Sequence, residues 1–540
     1  MTTYLHFLND ISAVARNEAL AIERGCGPTT TLWFNQFSHA DGRRAFEVVN
    51  VDHEAYLNQA ERDALVETLW YQNPLSGDIY VAVAGSQDGD GSINDPVNLA
   101  TACSVLSTVA PGSIIHVQIG EYVGDYNFIH NGADDNRIIV LFEVGARIKG
   151  SFRLDGEYVT VNKVDVFDTP DIRWTEQTGS SPSFLNSEGL AIYGANTSII
   201  HPMLQDVRAN GVGFWATATD SILYGLWANA WGWDAPDRGH GHAPYVQNGS
   251  TGTKLIENCV LGLGYGGAMR VYTTNADALY NVTVTKNICI GDQLFLGGHS
   301  PAADCEISQN RIWGDMLEVG ETDKDNQNIL VDANYAMGYS SVGSSALILR
   351  HWKTPTITNN TFIHISAETP PIQIFPHVDQ IDVVIDSNTY YIPDLDFIFA
   401  IIYTDNGSGG YNATYKTITQ WQALGYDINS TFIEGLPTTN QVFVEHSTYD
   451  NDIAHVAIYN WEQSPTVEVD FSAGNFTLLA TCRAYNALNP EEYFEFVYGG
   501  IPVAIPMSAS DWSIAIPVGD VEPLADGVWP TFGAFVVKAI

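Results

Sequence analysis

The sequence predicts an all-β protein built around a right-handed parallel β-helix. A short pattern containing an asparagine returns six times between Leu255 and Tyr391, and the apolar residues around it are largely β-branched or aromatic. The segments between the copies are rich in Gly, Asn, Thr and Asp and show no helical periodicity, which favours strands and turns. Because one repeat of this length cannot bury its own apolar face, the copies must stack into a solenoid.

The repeated asparagine defines the expected stacking register. The copies read LIENCV, VTKNIC, ISQNRI, VDANYA, ITNNTF and IDSNTY, and their asparagines are Asn258, Asn287, Asn310, Asn334, Asn360 and Asn388. Leu, Val or Ile stands three residues before each asparagine, and an apolar or small residue two after it. We expect the asparagines to stack along one edge, in tight turns where Asn tolerates left-handed dihedrals. A leucine-rich repeat, the alternative solenoid, needs a leucine framework that the chain lacks.

The chain divides into three expected parts. Residues 1–76 hold amphipathic helical patterns at 10–24 and 52–70 and are interpreted as a capping or attachment module, because the end of a β-helix exposes its core and strand edges. Residues 77–436 form the β-helix. Residues 437–540 alternate between apolar and polar positions in short segments separated by turns, which predicts a small antiparallel β-sandwich.

Composition excludes several classes of partner. The formal charge is −40, from 23 basic and 63 acidic residues, so the chain lacks the positive potential that binds nucleic acid. The six cysteines show no metal or disulfide spacing and are expected to be structural. The opening MTTYLHFLND has no basic region before an apolar run, so we expect no secretory signal, and no apolar stretch is long enough to span a membrane.

Two segments carry a family resemblance. GDIYVAVAGSQDGDGSINDP, followed by Pro111-Gly112 and the Gly-x-Tyr that ends at Tyr122, is similar to the opening coil of pectate-lyase-like β-helix proteins. TYKTITQWQALGYDINSTF resembles the segment that closes many of these proteins. The turn at Asp88 and Asp90 has the composition of a calcium loop but not the spacing, so we expect a plain turn and no cofactor.

One long loop is the strongest candidate site. Strand starts at Ile200 and Ile222 are 22 residues apart, whereas the next start, at Leu255, comes after 33, so one coil carries an insertion. Long loops on rigid solenoids are usual places for binding or chemistry. The loop element RGHGHAPYVQN resembles a Gly-His-Gly-x-x-Tyr-x-Gln-Asn element of bacterial β-helix proteins that act on glycans, although Pro244 departs from it.

Three functional hypotheses share this loop and the coils after it. A lyase on a uronic-acid polymer needs a base, an acid and a cation, roles that His242, Tyr245 and Arg238 or Arg270 suit. A hydrolase needs two carboxylates, for which Asp234 and Asp237 are the local pair. A non-catalytic protein would use the same groups to hold a glycan. His-x-His spacing alone is a weak signal for a metal site, so no metal is predicted. The structural alternative to all three hypotheses is that His240 and His242 only form hydrogen bonds with the backbone of the turn.

The candidate residues therefore fall into two groups. The catalytic candidates are Asp237, His240, His242, Tyr245 and Arg270. The glycan-binding candidates are Trp231, Trp233, Asp234, Arg238, Gln247, Asn248, Tyr272 and His299, with the two tryptophans as sugar platforms.

The order of the parts also resembles a phage tailspike or fibre, with an attachment module, a β-helix body and a C-terminal β domain. The resemblance implies a virion-associated protein that recognises, and in some cases degrades, a cell-surface polysaccharide, with other virion proteins as further partners. A secreted bacterial lyase or hydrolase and a non-catalytic adhesion protein are the alternatives. The expected location is the virion or the extracellular space.

We expect the chain to self-associate, most simply as a homotrimer, through residues 1–76 or the C-terminal sandwich. The reason is that 76 residues with apolar stretches such as TTTLWFNQF struggle to bury them alone. Light scattering of the full chain against a truncated chain starting at Gly77 is the measurement. A monomeric full chain whose truncated form stays folded would contradict the expectation and leave the segment as a cap.

Overall fold

The computed structural model describes residues 73–540, apart from 181, 183–187, 274–278, 292, 315, 322–323, 339–344, 367–368, 475, 521–523 and 525–527, and three strands before them. Those strands, Leu5–Phe7, Leu32–Ser38 and Arg44–Asn50, form one small sheet. The helices expected at 10–24 and 52–70 lie outside the described residues.

The predicted right-handed parallel β-helix is confirmed. Successive coils contribute strands to three sheets, and each strand pairs in parallel with the equivalent strand of the next coil, so the backbone groups of one coil are satisfied by its neighbours. We call these the first, second and third sheets, in the order in which the chain passes through them.

The first sheet has twelve strands. They are Asp78–Ser86, Ile114–Val117, Ile138–Phe142, Val159–Asn162, Ser198–Ile200, Ser221–Tyr224, Lys254–Glu257, Val282–Thr285, Cys305–Ser308, Ile329–Asp332, Pro355–Thr358 and Val384–Asp386.

Two long strands, Gly120–Phe128 and Ala146–Leu154, run through both the second and third sheets, which separate after them. The second sheet continues with Asp165–Phe167, Met203–Gln205, Trp227–Asn229, Val260–Leu261, Ile288–Ile290, Arg311–Gly314, Tyr335–Gly338, Thr361–His364, Thr389–Ile392 and Thr431–Glu434. The third continues with Leu190–Ile192, Val212–Phe214, Pro244–Val246, Met269–Thr273, Leu294–Gly298, Leu317–Val319, Leu347–Arg350, Ile372–Phe375 and Ala400–Asp405, to which Tyr411–Lys416 adds an antiparallel hairpin.

Few elements lie outside these sheets and the C-terminal region. The short strand pairs are Asn73–Leu75 with Ser107–Val109, Trp233–Asp234 with Gly239–His240, and Leu279–Tyr280 with Ala302–Ala303. The helices among the described residues, Leu99–Cys103 and Ile418–Gln422, begin after side-chain caps from Asn98 and Thr417, which satisfy free backbone N–H groups of the first turn. No described helix is long and apolar enough to cross a membrane.

Five of the six predicted asparagines form a buried ladder between the first and second sheets. In each step the carboxamide Oδ1 of one asparagine accepts from both the backbone N–H and the side-chain Nδ2 of the asparagine one coil earlier. Between Asn310 and Asn334 these distances are 2.9 and 3.0 Å. The same pair of contacts joins Asn287 to Asn310, Asn334 to Asn360, and Asn360 to Asn388.

Asn258 is not part of the ladder, contrary to the prediction. Glu257 pairs with Thr285 and Val260 with Ile288, so Cys259 stands opposite Asn287 and donates its backbone N–H to that side chain at 2.9 Å. Asn258 occupies the preceding position, where every one of these coils has a left-handed residue. These residues are Asn258, Lys286, Gln309, Ala333, Asn359 and Ser387, with φ between 53° and 60°. The left-handed turn residue therefore precedes the ladder asparagine instead of being it.

Asp427 terminates the ladder. Asn388 has no later asparagine to bond, and its Nδ2 donates instead to Asp427 Oδ1 at 3.1 Å. The buried carboxylate also accepts from Trp421 Nε1 at 2.8 Å and from Tyr390 Oη at 3.0 Å. These bonds explain why the closing segment of the sequence combines a Trp with an Asp-x-Asn-Ser element.

The C-terminal region forms a five-stranded antiparallel sheet and a two-stranded sheet. The larger sheet has the order Gln441–His446, Ile453–Tyr459, Phe532–Ala539, Thr481–Asn486 and Asn489–Val497, and the smaller pairs Thr466–Val469 with Val503–Pro506.

This region packs against the flank of the β-helix, on the outer face of the second sheet. Trp313 stacks on Phe532 with ring centroids 4.9 Å apart, and Tyr335 contacts Tyr459 at 4.5 Å. Buried hydrogen bonds accompany the rings, including one of 2.6 Å between His455 Nδ1 and the carbonyl of Asn258. The outer face of the second sheet is thereby covered along several coils, and this contact leaves the third sheet free.

We predict that Asn334→Ala destabilises the fold by about 2–4 kcal/mol, because the buried N–H of Asn310 and the carbonyl of Ile307 both lose a partner, each at a cost of about 1–3 kcal/mol. Urea unfolding measures the change. Asn412→Ala, at an exposed position of the last hairpin, is the control and should stay within about 0.5 kcal/mol. Equal stability of the two variants would contradict a structural role for the ladder.

Candidate functional site

A row of aromatic side chains runs along the outer face of the third sheet. Its members come from five successive coils and are Tyr193, Trp215, Tyr245, Tyr272 and Phe295. Neighbouring ring centroids are 5.9, 5.8, 6.4 and 5.8 Å apart in that order. Side chains alternate between faces along a strand, so Tyr245 and Phe295 at one outward position, and Trp215 and Tyr272 two residues further along their strands, all fall on the same side. We call it the aromatic row.

His242, Tyr245 and Arg270 come together at the middle of this row. Tyr245 and Arg270 are paired positions of adjacent strands, so their side chains leave the sheet side by side. The His242 ring stacks on Tyr245 with centroids 5.8 Å apart. Three of the predicted catalytic candidates thus share one surface, although they come from the inserted loop and the following coil.

His242 is a neutral hydrogen-bonding group in this environment. Its Nδ1 lies 3.2 Å from the carbonyl of Gly267, which can only accept, so Nδ1 carries the proton and Nε2 keeps its lone pair. Burial, and after it the charge of Arg270, lowers the pKa of His242 to about 3. Such a ring is a weak general base at neutral pH, but it accepts a hydrogen bond from a hydroxyl group.

Tyr245 is a hydrogen-bond donor rather than a base. Burial raises the pKa of its phenol above the ordinary value, more than the charge of Arg270 and a hydrogen bond from Gln247 lower it. The phenol therefore stays protonated at neutral pH. Together, His242 and Tyr245 offer one acceptor and one donor beside the rings.

Arg270 supplies the positive charge at the middle of the row, while Arg153 lies over Tyr193 at its start, paired with Asp155. The Arg270 guanidinium lies 4.4 Å from the ring centroid of Tyr272 and 4.7 Å from that of Phe295. Cation–π contacts of this kind hold the side chain in place without neutralising it. Among the described residues no carboxylate lies within ion-pair distance of Arg270, whereas Arg350 on the same sheet is bound to Glu318 at 2.6 Å. The Arg270 guanidinium can therefore bind an anionic group of a ligand.

Glu188 belongs to the same surface and was not predicted. Its Oε1 accepts from Asn210 Nδ2 at 3.1 Å and its Oε2 from Trp215 Nε1 at 2.9 Å. A Cβ atom at Gly213 would lie only 2.0 Å from Oε2, so the carboxyl group fills the place of a side chain on the outer face at that position. Burial raises the pKa of Glu188, more than these hydrogen bonds lower it. No motif surrounds Glu188 in the sequence, and only the pairing of coils reveals its position.

The inserted loop folds as a small hairpin beside the row. Its two short strands, Trp233–Asp234 and Gly239–His240, pair with each other. The buried His240 ring stacks on Trp233 with centroids 4.7 Å apart, and its Nε2 lies 3.1 Å from Asp237 Oδ1, with which it forms a hydrogen bond. The His240 bond is the largest cause of the lowered pKa of Asp237.

Asp237 and Arg238, the other polar residues of the hairpin turn, bond to each other and to the neighbouring residues 179–180. Asp237 also accepts from Arg238 at 3.1 Å and from the backbone of Gly179, while Arg238 donates to Ser180 at 3.0 Å. Asp234 is exposed at the hairpin edge. The structure shows Asp237 in contacts that hold the hairpin together, and it shows no contact between Asp237 and His242, Tyr245 or Arg270, with which it was expected to converge.

Several predicted sugar contacts are inaccessible. Trp231 is 1% exposed and Trp233 3%, and a Cβ atom at Gly264 would lie 2.1 Å from the Trp231 ring, so neither indole presents a face to a sugar. Asn248 is likewise buried and donates to the carbonyl of Tyr280 at 2.6 Å, which braces a turn. These three residues therefore correct the sequence-based expectation: the two tryptophans are packing residues, and Trp215, outside the loop, is a tryptophan of this face that stays partly exposed.

The other predicted contacts lie along the row. Tyr272 is a member of it, and the exposed His299 contacts the Tyr272 ring at 5.6 Å. Gln247 is partly buried beside Tyr245. Behind the row, the buried ammonium group of Lys254 donates to the carbonyls of Trp215 and Gln247, both at 2.5 Å, and so holds the two turns that carry these side chains.

Within the described part of the chain, no three His, Cys, Asp or Glu side chains are grouped as a metal site would require. The acidic turn near the start of the β-helix is bonded internally: Asp90 Oδ1 accepts from the backbone of Ser92 at 2.8 Å. Its side-chain contacts are those of a turn.

We predict that His242→Gln makes the stability less sensitive to acid. The unfolded histidine binds a proton near pH 6.5 and the folded one near pH 3, so the free energy of unfolding falls as pH drops through this window, by about 1.4 kcal/mol per pH unit for this residue. Urea unfolding between pH 6 and pH 4 should show a shallower slope in the variant. Tyr245→Phe, which leaves the histidine in place, is the control, and equal slopes in His242→Gln and wild type would contradict the buried, neutral state of His242.

Comparison with known proteins gives likeness of shape only. No protein-family profile and no curated protein matches the chain. Among solved structures it is similar to a complex of XylC with xylose (TM-score 0.42, 10% identity, 85% of this chain and 100% of that one). It is also similar to a mannuronic acid specific polysaccharide family 6 lyase from human gut microbiota (0.32, 13%, 59% and 87%). A third is a tailspike double mutant of E. coli bacteriophage HK620 (0.32, 11%, 79% and 87%). At these identities and scores the likenesses carry no argument about what the present chain binds.

Proposed function

We propose that the protein is a glycan-binding β-helix protein that holds a polysaccharide along the outer face of its third sheet. The observation that carries the proposal is the aromatic row, in which the rings of Tyr193, Trp215 and Tyr245 are partly exposed and have hydrogen-bonding and charged groups beside them, while Tyr272 and Phe295 continue the row as buried rings. Aromatic rings pack against the apolar faces of sugars, while placed polar groups orient the hydroxyls.

The dimensions of the row suit an oligosaccharide. Its five coils are separated by four strand spacings of about 4.8 Å, so the rings extend over about 19 Å along the helix axis. The partly exposed side chains of Tyr193, Trp215, Tyr245 and Arg270 cover three of these spacings, about 14 Å, so a ligand that contacts all four must be a chain of several sugar units. Among the described residues the C-terminal region packs on the second sheet, which supports the third sheet as the binding face.

The chemistry of the central groups favours recognition over lyase catalysis. A lyase needs a base that removes a proton next to a carboxylate near neutral pH. His242, with its pKa near 3, has too little proton affinity for that step, and Tyr245, whose pKa is raised, keeps its own proton at neutral pH and so cannot take another. Hydrolysis needs two carboxyl groups beside one bond, and Asp237 is bound within the hairpin. The partner we propose is a surface polysaccharide, met at a virion surface or in the extracellular space.

We predict that Trp215→Ala and Tyr245→Ala each weaken glycan binding by about 10-fold or more, because each removes a ring in direct contact with the sugar. A polysaccharide array identifies the ligand and isothermal titration measures its affinity. Tyr493→Ala is the matched control, because this tyrosine is 45% exposed on the C-terminal sheet, away from the row. Unchanged affinity in both row variants would contradict the proposed surface.

The same ligand should be assayed for unsaturated products and for new reducing ends. We expect neither, because the site holds its ligand without cleaving it. Unsaturated products that disappear in His242→Ala would instead establish the lyase hypothesis, and new reducing ends lost in Glu188→Gln would establish a hydrolase.

A further inference from the structure

We propose that the third-sheet face distinguishes charged from uncharged sugars by position, so that its ligand is a heteropolysaccharide with an acidic group on some of its sugars and not on others. The carboxyl group of Glu188 takes a neutral, hydroxyl-bearing sugar, and the guanidinium of Arg270 takes the acidic group. This inference rests on the proposed function and names the class of ligand.

Glu188 defines the neutral position. Its two oxygens each accept one hydrogen bond from the protein, from Asn210 and from Trp215, and each carboxylate oxygen has capacity for another. The indole that donates to it belongs to the aromatic row, so a sugar packed on Trp215 places its hydroxyls beside the carboxyl group. Arg153, the cation whose charge acts on Glu188, is itself paired with Asp155 at 2.7 Å, so a sugar carboxylate at this position meets the Glu188 carboxyl group as a like charge, which is unfavourable at short distance.

Arg270 defines the acidic position. Its planar guanidinium presents several N–H donors and binds carboxylate, sulfate or phosphate groups well. Tyr272 and Phe295 fix its orientation, and the structure describes no carboxylate that competes for it. His242 and Tyr245 beside it are neutral at pH 7, so they add hydrogen bonds without opposing an anion.

The two positions fall on different sugars of one chain. Gly213, over which the Glu188 carboxyl lies, pairs with Tyr245, and Tyr245 pairs with Arg270. The two charges are thus two coils apart, about 10 Å along the helix axis. This separation exceeds the reach of a single sugar ring, so one sugar cannot satisfy both.

The net negative charge of the chain also disfavours polymers that carry an acidic group on every sugar. The chain carries −40 in total, so a polymer with a negative charge on every sugar is repelled as it approaches, whereas a polymer with spaced charges is repelled less and is anchored at Arg270. Homopolymers of uronic acids are therefore the ligands that this face excludes, and neutral polymers lack the group that Arg270 binds.

An array with three classes of polymer tests the inference. The homopolyuronates are polygalacturonate and polymannuronate, the neutral polymers are xylan and β-glucan, and the mixed polymers are hyaluronan, gellan, xanthan and bacterial capsular polysaccharides with one acidic sugar per repeat. We expect the wild-type protein to bind members of the mixed class only. Binding of polygalacturonate as tight as that of any mixed polymer would overturn the inference while leaving the proposed function standing. Absence of binding to every polymer would overturn both.

Two variants then assign the positions, measured by titration with the mixed polymer that binds and with polygalacturonate. Arg270→Gln should lower the affinity for the mixed polymer at least 10-fold. Glu188→Gln, which keeps the shape of the side chain but removes its charge, should raise the affinity for polygalacturonate at least 10-fold. Gly213→Ala, which displaces the Glu188 carboxyl, should act in the same direction as Glu188→Gln. Arg483→Gln, on the C-terminal sheet, is the charge-matched control. If Glu188→Gln changes both ligands equally, the assignment of a neutral position is overturned.

Discussion

The hydrogen bond from each buried asparagine to the next fixes the stacking of the coils between Asn287 and Asn388, and the surfaces of this half of the β-helix depend on that stacking. A solenoid has no long-range contacts that could correct a slipped coil, because each repeat touches only its neighbours. Each ladder carboxamide bonds both the main chain and the side chain of the preceding coil, which makes a one-residue slip costly. Gly213, Tyr245 and Arg270 lie in coils before the ladder, and the parallel pairing of their strands aligns them on the third sheet.

The C-terminal region determines which face is available. It buries the rings of Trp227, Trp313 and Tyr335 on the second sheet, which would otherwise form an exposed apolar surface comparable to the aromatic row. Two aromatic surfaces of the same β-helix thus differ: the one on the second sheet is packed within the chain, whereas Tyr193, Trp215 and Tyr245 on the third sheet stay partly exposed among the described residues. The difference lies in the partners of each surface and not in its composition.

Much of the fold could be predicted from the sequence because the repeated pattern indicates which residues of successive coils lie side by side. The three-sheet β-helix, the ladder from Asn287 to Asn388 and the inward apolar positions all follow from residues spaced along the chain. The misplacement of Asn258 shows the limit: two adjacent positions of one turn both accept asparagine, one because it bonds the next coil and the other because it adopts a left-handed conformation. Only strand pairing separates the two causes.

The candidate site was less predictable, because its residues come from different coils and share no motif. His242, Tyr245 and Arg270 were recognisable from their chemistry and from the unusual loop length. Trp231 and Trp233 were misleading because a tryptophan in a loop can close the core as readily as it can line a groove. Glu188 gave no signal, since its position depends on the absence of a side chain at Gly213, one coil later.

The hydrogen bonds of the ladder run from each asparagine to the next one in the sequence, which is also the order in which the ribosome synthesises the chain. Each ladder asparagine from Asn287 to Asn360 gives its backbone N–H and one of its two Nδ2 hydrogens to the asparagine of the following coil, so its coil leaves the ribosome with donors that only the next stretch of chain can bond. Asp427 satisfies the last of them. During synthesis of the ladder coils, the growing end therefore carries an open strand edge whose polar groups are still unpaired. A nascent chain stalled at one of these coils presents that edge to other protein chains until the closing segment has been made.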